Sequence, residues 1–329
     1  MTDAAGTGLQ PPTLQQIREA RDRIRPYVRR TPLVELDVGL PDRRIYLKLE
    51  TLQPIGAFKL RPALNAILTR DMAVLRHGVA VASSGNMAYG MAWAARAVGV
   101  PMAAYMVADA PQAKIDGVRR LGGEVRFISA CTWWDYITDV QRPAHAELLI
   151  NPVTDLAVLA GNGAIGLEIM EDLPSVDCVL TPFGGGSLTT GVASAVKALR
   201  PEVRVYAVEG EHATPVTAAL AAGKVVQVDA HDSFIKSIGG PSVVPRLWPL
   251  AQRAIDGAYV VGLDQVADAM RMLFSHTKVV AEGAGAAAVA AALVDPRATG
   301  NVVCVVSGGN VDAALYAHIL SGHTPKGKH

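Results

Sequence analysis

Gly184, Gly185 and Gly186 precede Ser187 and Leu188, between an apolar run, Cys178–Phe183, and a helix-like stretch, Leu188–Leu199. Glycines let the backbone curl until several N–H groups face one point, and a helix starting there adds its positive dipole end. Such a junction binds anions, phosphate above all. No lysine follows the glycines, so this is not a nucleoside-triphosphate loop; the plainer alternative is a flexible turn. A second candidate is Lys59, between Phe58 and Leu60 early in an expected helix. Most lysines stay solvated. One desolvated by apolar neighbours has a lowered pKa and forms imines with carbonyls. The local sequence leaves both readings of Lys59 open.

Other segments carry weaker signals. Ser83, Ser84, Gly85, Asn86 and Met87 stand where a strand-like run meets a helix candidate, and such residues are common caps. Gly161-Asn-Gly163-Ala-Ile-Gly166 and Gly283-Ala-Gly285-Ala-Ala-Ala288 have dinucleotide-loop spacing. That site also needs an acid at the end of the next strand. The following runs end at Thr181-Pro-Phe183 and at Ser307-Gly-Gly309, without one. Close helix packing is the favoured reading of these glycines. Trp133, Trp134 and Tyr136 read as core or a subunit contact, with a substrate-pocket wall as the alternative. His145, His212, His231 and His276 show no readable partners.

The elements that must hold these residues alternate. Thr13–Val28 is expected to be a helix, opened by capping-box spacing from Thr13 to Gln16. Strand-length runs at Ile45–Leu49, Gly78–Ser83, Met102–Val107 and Glu124–Ser129 are followed by Cys178–Phe183, Arg204–Glu209, Ala258–Leu263 and Asn301–Ser307. Helix candidates lie between, among them Met87–Val98, Ala113–Leu121, Asp264–His276, Ala284–Leu293 and Val311–Leu320. This alternation predicts an α/β fold of mainly parallel sheets. Cys131–Pro152 breaks the rhythm and marks a boundary between two lobes.

Composition narrows the function classes. The 329 residues are half apolar, ample for two lobes. A net charge of +1 implies neither nucleic acid nor an acidic membrane surface as partner. Cys131, Cys178 and Cys304 show no ligand or disulfide spacing, which fits a reducing cytoplasm. Residues 1–12 do not resemble a signal peptide. The uncharged stretch Gly78–Ala95 contains Ser83, Ser84 and Asn86, so a buried strand, loop and helix fits better than a membrane span.

The string Lys48–Arg61 resembles the lysine motif of the fold-type-II pyridoxal-phosphate enzymes, in particular the threonine/serine dehydratase and serine racemase group. Ser83–Asn86, Gly184–Ser187, Ala281-Glu282-Gly283 and Ser307-Gly308-Gly309-Asn310 match further family motifs in order. The resemblance implies a two-lobed fold like that of the tryptophan synthase β chain. A large cofactor lobe would comprise residues 13–55 and 150–322, a smaller substrate-side lobe 56–149, and flexible termini 1–12 and 323–329. It implies pyridoxal 5'-phosphate linked to Lys59, with Phe58 beside the ring. The amides of Gly184, Gly185, Gly186, Ser187 and Leu188 would bind the phosphate. Asn86 would meet the ring hydroxyl, Ser307 the pyridine nitrogen, and the Ser83–Met87 backbone the substrate carboxylate. The implied activity is ammonia-lyase β-elimination of a 3-hydroxy amino acid by a cytoplasmic homodimer. The alternatives are a racemase, with Ser84 as second base, and a β-replacement synthase; synthases usually carry a Gly/Thr-rich phosphate loop, unlike this one. A non-catalytic cofactor-binding protein would not need Lys59, Asn86 and Ser307 together. The chain departs from the family at Ala57, Pro62, Met87, Tyr89 and Ser187; Met87 and Tyr89 are expected to flank the substrate carboxylate. Glu209 and Ala213 match the start of a divalent-cation site, but Pro215 replaces its third ligand, with Glu211 as a substitute, so a metal is not expected.

Overall fold

In a computed structural model, residues 8–110, 112–143 and 147–327 are described. His145, and residues 1–7 and 328–329 of the termini expected to be flexible, lie outside them. The chain opens with α1 (Leu14–Ile24). Thr13 Oγ1 accepts from Gln16 N and Gln16 Oε1 accepts from Thr13 N, the anticipated capping box. The helix buries Ile17, Ala20 and Ile24 and stops at Ile24, short of the expected Val28. Pro26, lacking an N–H, cannot continue its ladder.

Strands β1 (Leu33–Leu36) and β2 (Arg43–Leu49) follow, then α2 (Leu60–Leu68) and α3 (Met72–Leu75). The short, half-buried β1 carries too weak an alternation to be read from sequence. Next come β3 (Val79–Ala82), α4 (Asn86–Val98), β4 (Met102–Met106), α5 (Gln112–Arg120), β5 (Glu124–Phe127), α6 (Ala130–Ile137) and β6 (Leu148–Leu149). These strands form a four-stranded parallel sheet ordered β5-β4-β3-β6. The uncharged stretch that could have passed for a span is thus a buried strand, a turn and a helix. No described helix is long and apolar enough to cross a membrane.

The remainder alternates as α7 (Leu156–Asp172), β7 (Cys178–Pro182), α8 (Ser187–Leu199), β8 (Arg204–Gly210), α9 (Pro215–Ala222), α10 (Trp248–Ala254), β9 (Gly257–Val261), α11 (Leu263–Met272), α12 (Gly283–Val294), β10 (Gly300–Val306) and α13 (Ala313–Leu320). The helix expected over Asp264–His276 changes to a π-helical turn at Leu273–Thr277. The second sheet runs β1-β2-β10-β7-β8-β9, parallel except for β1. Its strands are mostly buried, as expected where helices cover both faces. Because β2 pairs with β10, the two ends of the chain share one sheet.

The Gly161–Gly166 segment lies inside α7, and the apolar run Leu156–Ala160 before it is the start of the same helix. A Cβ at Gly161 would stand 2.8 Å from Pro62 Cα, and one at Gly166 2.7 Å from the Val192 carbonyl oxygen. These glycines let α2 and α8 approach α7 at backbone distance, as the packing reading requires. Glycine costs a helix interior roughly 1 kcal/mol each relative to alanine; dense burial of α7 offsets it.

Candidate active site

Parallel α/β sheets bind ligands outside the carboxyl ends of their strands. The singled-out segments leave three such ends: Ser83 follows β3, Gly184 follows β7 and Ser307 follows β10. Strands β7 and β10 are neighbours, with Cys304 opposite Leu180.

Lys59 reaches this edge through backbone pairing. After β2 the chain turns at Gly56, whose φ of +70° suits glycine. Ala57 then bridges to Gly308, and the Phe58 N–H donates to the Ser307 carbonyl over 2.9 Å. Lys59 is the cap residue of α2, and Gly90 of α4 packs on it so closely that a Cβ would meet the Lys59 carbonyl oxygen at 2.9 Å. Phe58 belongs to the buried apolar cluster that includes Leu188 of α8 and Val305 of β10. The Lys59 Nζ lies 4.8 Å from the Phe58 ring centroid. It keeps some exposure, yet desolvation by the surrounding protein brings its ammonium down to about 8. The desolvated reading of Lys59 is the one the fold realises.

Beneath it lies a buried ion cluster. Arg61 donates to both carboxylate oxygens of Glu50 (2.8 and 2.9 Å) and of Glu168 (2.7 and 2.8 Å). Lys48 Nζ pairs with Glu168 at 2.7 Å and donates to the Thr31 carbonyl. Burial opposes ionisation of Glu50, but Arg61 and Lys48 overturn it and hold its carboxyl below the ordinary range. The cluster ties the first turn of α2, and so Lys59, to the end of β2 and to α7.

The glycine loop is a rigid cradle. A Cβ would stand 2.4 Å from the Ser237 carbonyl oxygen at Gly184, 2.5 Å from Val153 Cγ2 at Gly185 and 2.6 Å from the Phe183 ring at Gly186. Gly186 also has a φ of +94°. The glycine loop leading into α8 therefore presents backbone, not side chains, and the first amides of the helix have no helical partners.

On the opposite side, Ser83 Oγ accepts from Gly85 N, and Ser84 Oγ accepts from Val107 N at 3.1 Å. Asn86 Nδ2 donates to Glu282 Oε1 over 2.6 Å. Asn86 Oδ1 accepts from Lys114 Nζ (3.0 Å) and Asn310 Nδ2 (2.9 Å). The Met87 side chain is buried in the core around α2 and α4, and Tyr89 lies against Gly117 of α5. The Met87 side chain is thus buried and that of Tyr89 half-buried against α5. Trp133 and Trp134 stack at 6.5 Å and join the apolar cluster containing Phe183 and Leu247. Lys114 and Glu168 escaped the sequence reading because their partners lie far away in the chain.

The cation candidates are otherwise engaged. Glu209 accepts from Val216 N, Thr217 N and Thr217 Oγ1, capping α9, while burial pushes its carboxyl up against those bonds. Ala213 is buried, and Glu211 accepts from Leu263 N. Among the described residues no group of three or more His, Cys, Asp or Glu side chains could hold a metal.

A desolvated amine held at the β10 end, next to the strand that leads into a glycine-lined anion cradle, suits an aldehyde with a phosphate tail. Residues 24–308 match the family model for the pyridoxal-phosphate dependent enzymes. The chain belongs to that family. Among the pyridoxal-phosphate enzymes it is similar to the L-threonine ammonia-lyase of Geobacter sulfurreducens, with 37% identity covering 92% of this chain and 77% of that protein. It is 33% identical to the serine racemase of Oryza sativa subsp. indica, covering 92% of each. The structure of maize serine racemase superposes with a TM-score of 0.86 at 31% identity, covering 95% of this chain and all of that one. The two-sheet architecture is that of the fold-type-II pyridoxal-phosphate enzymes, and the cofactor is pyridoxal phosphate.

Proposed function

We propose that this pyridoxal-phosphate enzyme removes water from a 3-hydroxy amino acid such as threonine or serine, yielding a 2-oxo acid and ammonia. The observation that carries the reading is a lysine with an ammonium near 8, set by backbone pairing at the β10 end beside the cradle. The bound cofactor supplies an aldehyde that condenses with amines and a ring that takes up the electron pair released at the α-carbon. Lys59 holds the cofactor at rest. Its amine, once freed by a substrate amine, would be the base that takes the α-proton. Gly184, Gly185, Gly186, Ser187 and Leu188 hold the phosphate through their amides, and Asn86 donates toward the ring hydroxyl. Ser307 offers the ring nitrogen a neutral hydroxyl, not a carboxylate. A neutral partner there would draw fewer electrons into the ring than a carboxylate-held, protonated nitrogen, and would favour prompt departure of a β-substituent. The Ser83–Met87 backbone receives the substrate carboxylate.

Relatives named threonine ammonia-lyase and serine racemase are both close. A racemase reading draws on Ser84, whose Oγ accepts an N–H and is thereby supported as an anion. We place the cofactor lobe at 13–55 and 150–322 and the substrate-side lobe at 56–149, in a cytoplasmic homodimer acting on a small amino acid. The test is 2-oxo acid formation from threonine, serine and larger 3-hydroxy amino acids, with chiral analysis of residual substrate. Oxo-acid release supports the proposal; interconversion of enantiomers without it supports the racemase and overturns the lyase.

A further inference from the structure

Resting on that reading, we propose that Lys114 is a positioning residue: with Asn310 it fixes the Asn86 amide donor-side toward the cofactor, and it balances the charge of Glu282 beside it. Lys114 stands on α5 and Asn86 opens α4, both flanking the four-stranded sheet. Glu282 stands at the N-cap position of α12 and Asn310 follows β10, both at the six-stranded sheet. The network therefore spans the two sheets.

Chemistry sets the orientation of Asn86. Its Oδ1 faces an ammonium, which can only donate, and an Asn310 amide nitrogen already donating to the Ile55 carbonyl at 2.9 Å. Its Nδ2 faces a carboxylate, which accepts when ionised. Turning the amide over would oppose donor to donor and acceptor to acceptor. One N–H of Nδ2 is used by Glu282 and the second remains for the ring hydroxyl oxygen. Glu282 Oε1 also lies where a Gly308 side chain would be, 2.8 Å from that Cβ position, so it sits close under the Ser307 loop. Only 11% of its side chain is exposed, and Lys114 Nζ approaches its other oxygen at 3.5 Å. An unbalanced carboxylate there would disfavour negative charge on the nearby ring oxygen. The visible absorbance of the lysine-linked cofactor requires that charge; the form protonated on oxygen absorbs in the near ultraviolet.

The test compares holoenzyme spectra at one fixed pH for the wild type, Lys114→Met, Lys114→Arg and the double variant Lys114→Met/Glu282→Gln, with cofactor content measured after alkaline release. In Lys114→Met the visible band loses intensity to the near-ultraviolet band at equal cofactor content. Its kcat falls roughly tenfold while KM changes less, as for loss of an outer partner that orients a contacting group. Lys114→Arg restores the ratio, and so, in part, does the double variant. A Lys114→Met enzyme with unchanged spectrum and kcat overturns the proposal. Should that variant lose its cofactor, the double variant decides: cofactor retained supports the charge balance, cofactor lost overturns it. A colourless wild type would refute the assignment of Lys59 and is distinguishable from every one of these outcomes.

Discussion

The Phe58 N–H donates to the Ser307 carbonyl over 2.9 Å, so the residue before Lys59 is pinned to the carboxyl end of β10. That bond turns a position near the start of the chain into part of a site built from its end. It also fixes where the lysine amine can stand relative to the neighbouring glycine loop.

The lowered ammonium of Lys59 makes cofactor capture pH-dependent. At pH 7 an amine with a pKa of about 8 is uncharged in roughly one molecule in ten, against about one in 3000 at the ordinary value of 10.5. The rate at which cofactor-free protein becomes coloured is expected to rise with pH and level off above about 8. The same shift affects stability. The folded lysine releases its proton before the unfolded one does, so stability of the cofactor-free protein rises between about pH 8 and 10.5. A capture rate still climbing at pH 10 would mean an ordinary, solvated lysine.

Arg61 is expected to hold the lysine segment in place. Arg61→Met leaves Glu50 and Glu168 with less compensation in the interior. Breaking a buried ion pair from one side costs about 3–5 kcal/mol. Denaturant midpoints measure this, and a loss below 1 kcal/mol would place the cluster among weak surface pairs.

Two glycine substitutions separate cradle from packing. In Gly184→Ala the new methyl meets a backbone carbonyl that cannot swing aside, so cofactor affinity should fall at least tenfold, about 1.4 kcal/mol. In Gly166→Ala the clash is with the Val192 carbonyl, inside α8 and away from its amide start. Overpacking there costs about 1–3 kcal/mol of stability and should leave cofactor affinity unchanged. Cofactor titration and thermal unfolding of both variants read the contrast; equal affinity in the two would remove the cradle assignment.

Chelation tests the expectation that no metal is needed at Glu209. Because its oxygens are spent capping α9, prolonged treatment with a chelator should leave turnover unchanged, whereas Glu209→Ala should cost about 1 kcal/mol of stability, the usual effect of losing a helix cap. Activity lost to the chelator and restored by magnesium would contradict this.

What the sequence revealed and what it concealed follow from range. Lys59, the Gly184–Ser187 loop, the Ser83–Asn86 turn and Ser307 sit in short contiguous strings, and the strand–helix alternation around them carries strong local periodicity. The Gly161–Gly166 segment could be weighed correctly because a missing acid spoke against a nucleotide. Contacts set by tertiary packing were out of reach. Lys114 meets Glu282 across 168 residues and Arg61 meets Glu168 across 107. The burial of the Met87 side chain around α2 and α4, and the half-burial of Tyr89 against α5, are set by the neighbouring helices and not by the local residues.

The proposed chemistry depends on covalent attachment of the cofactor to Lys59. Reducing the holoenzyme with borohydride fixes that link, and peptide mass spectrometry then locates it. The expected result is the reduced cofactor mass on the peptide containing Lys59 and on no other lysine. Label on a different lysine, or an unmodified Lys59 peptide from a fully active enzyme, would contradict the account.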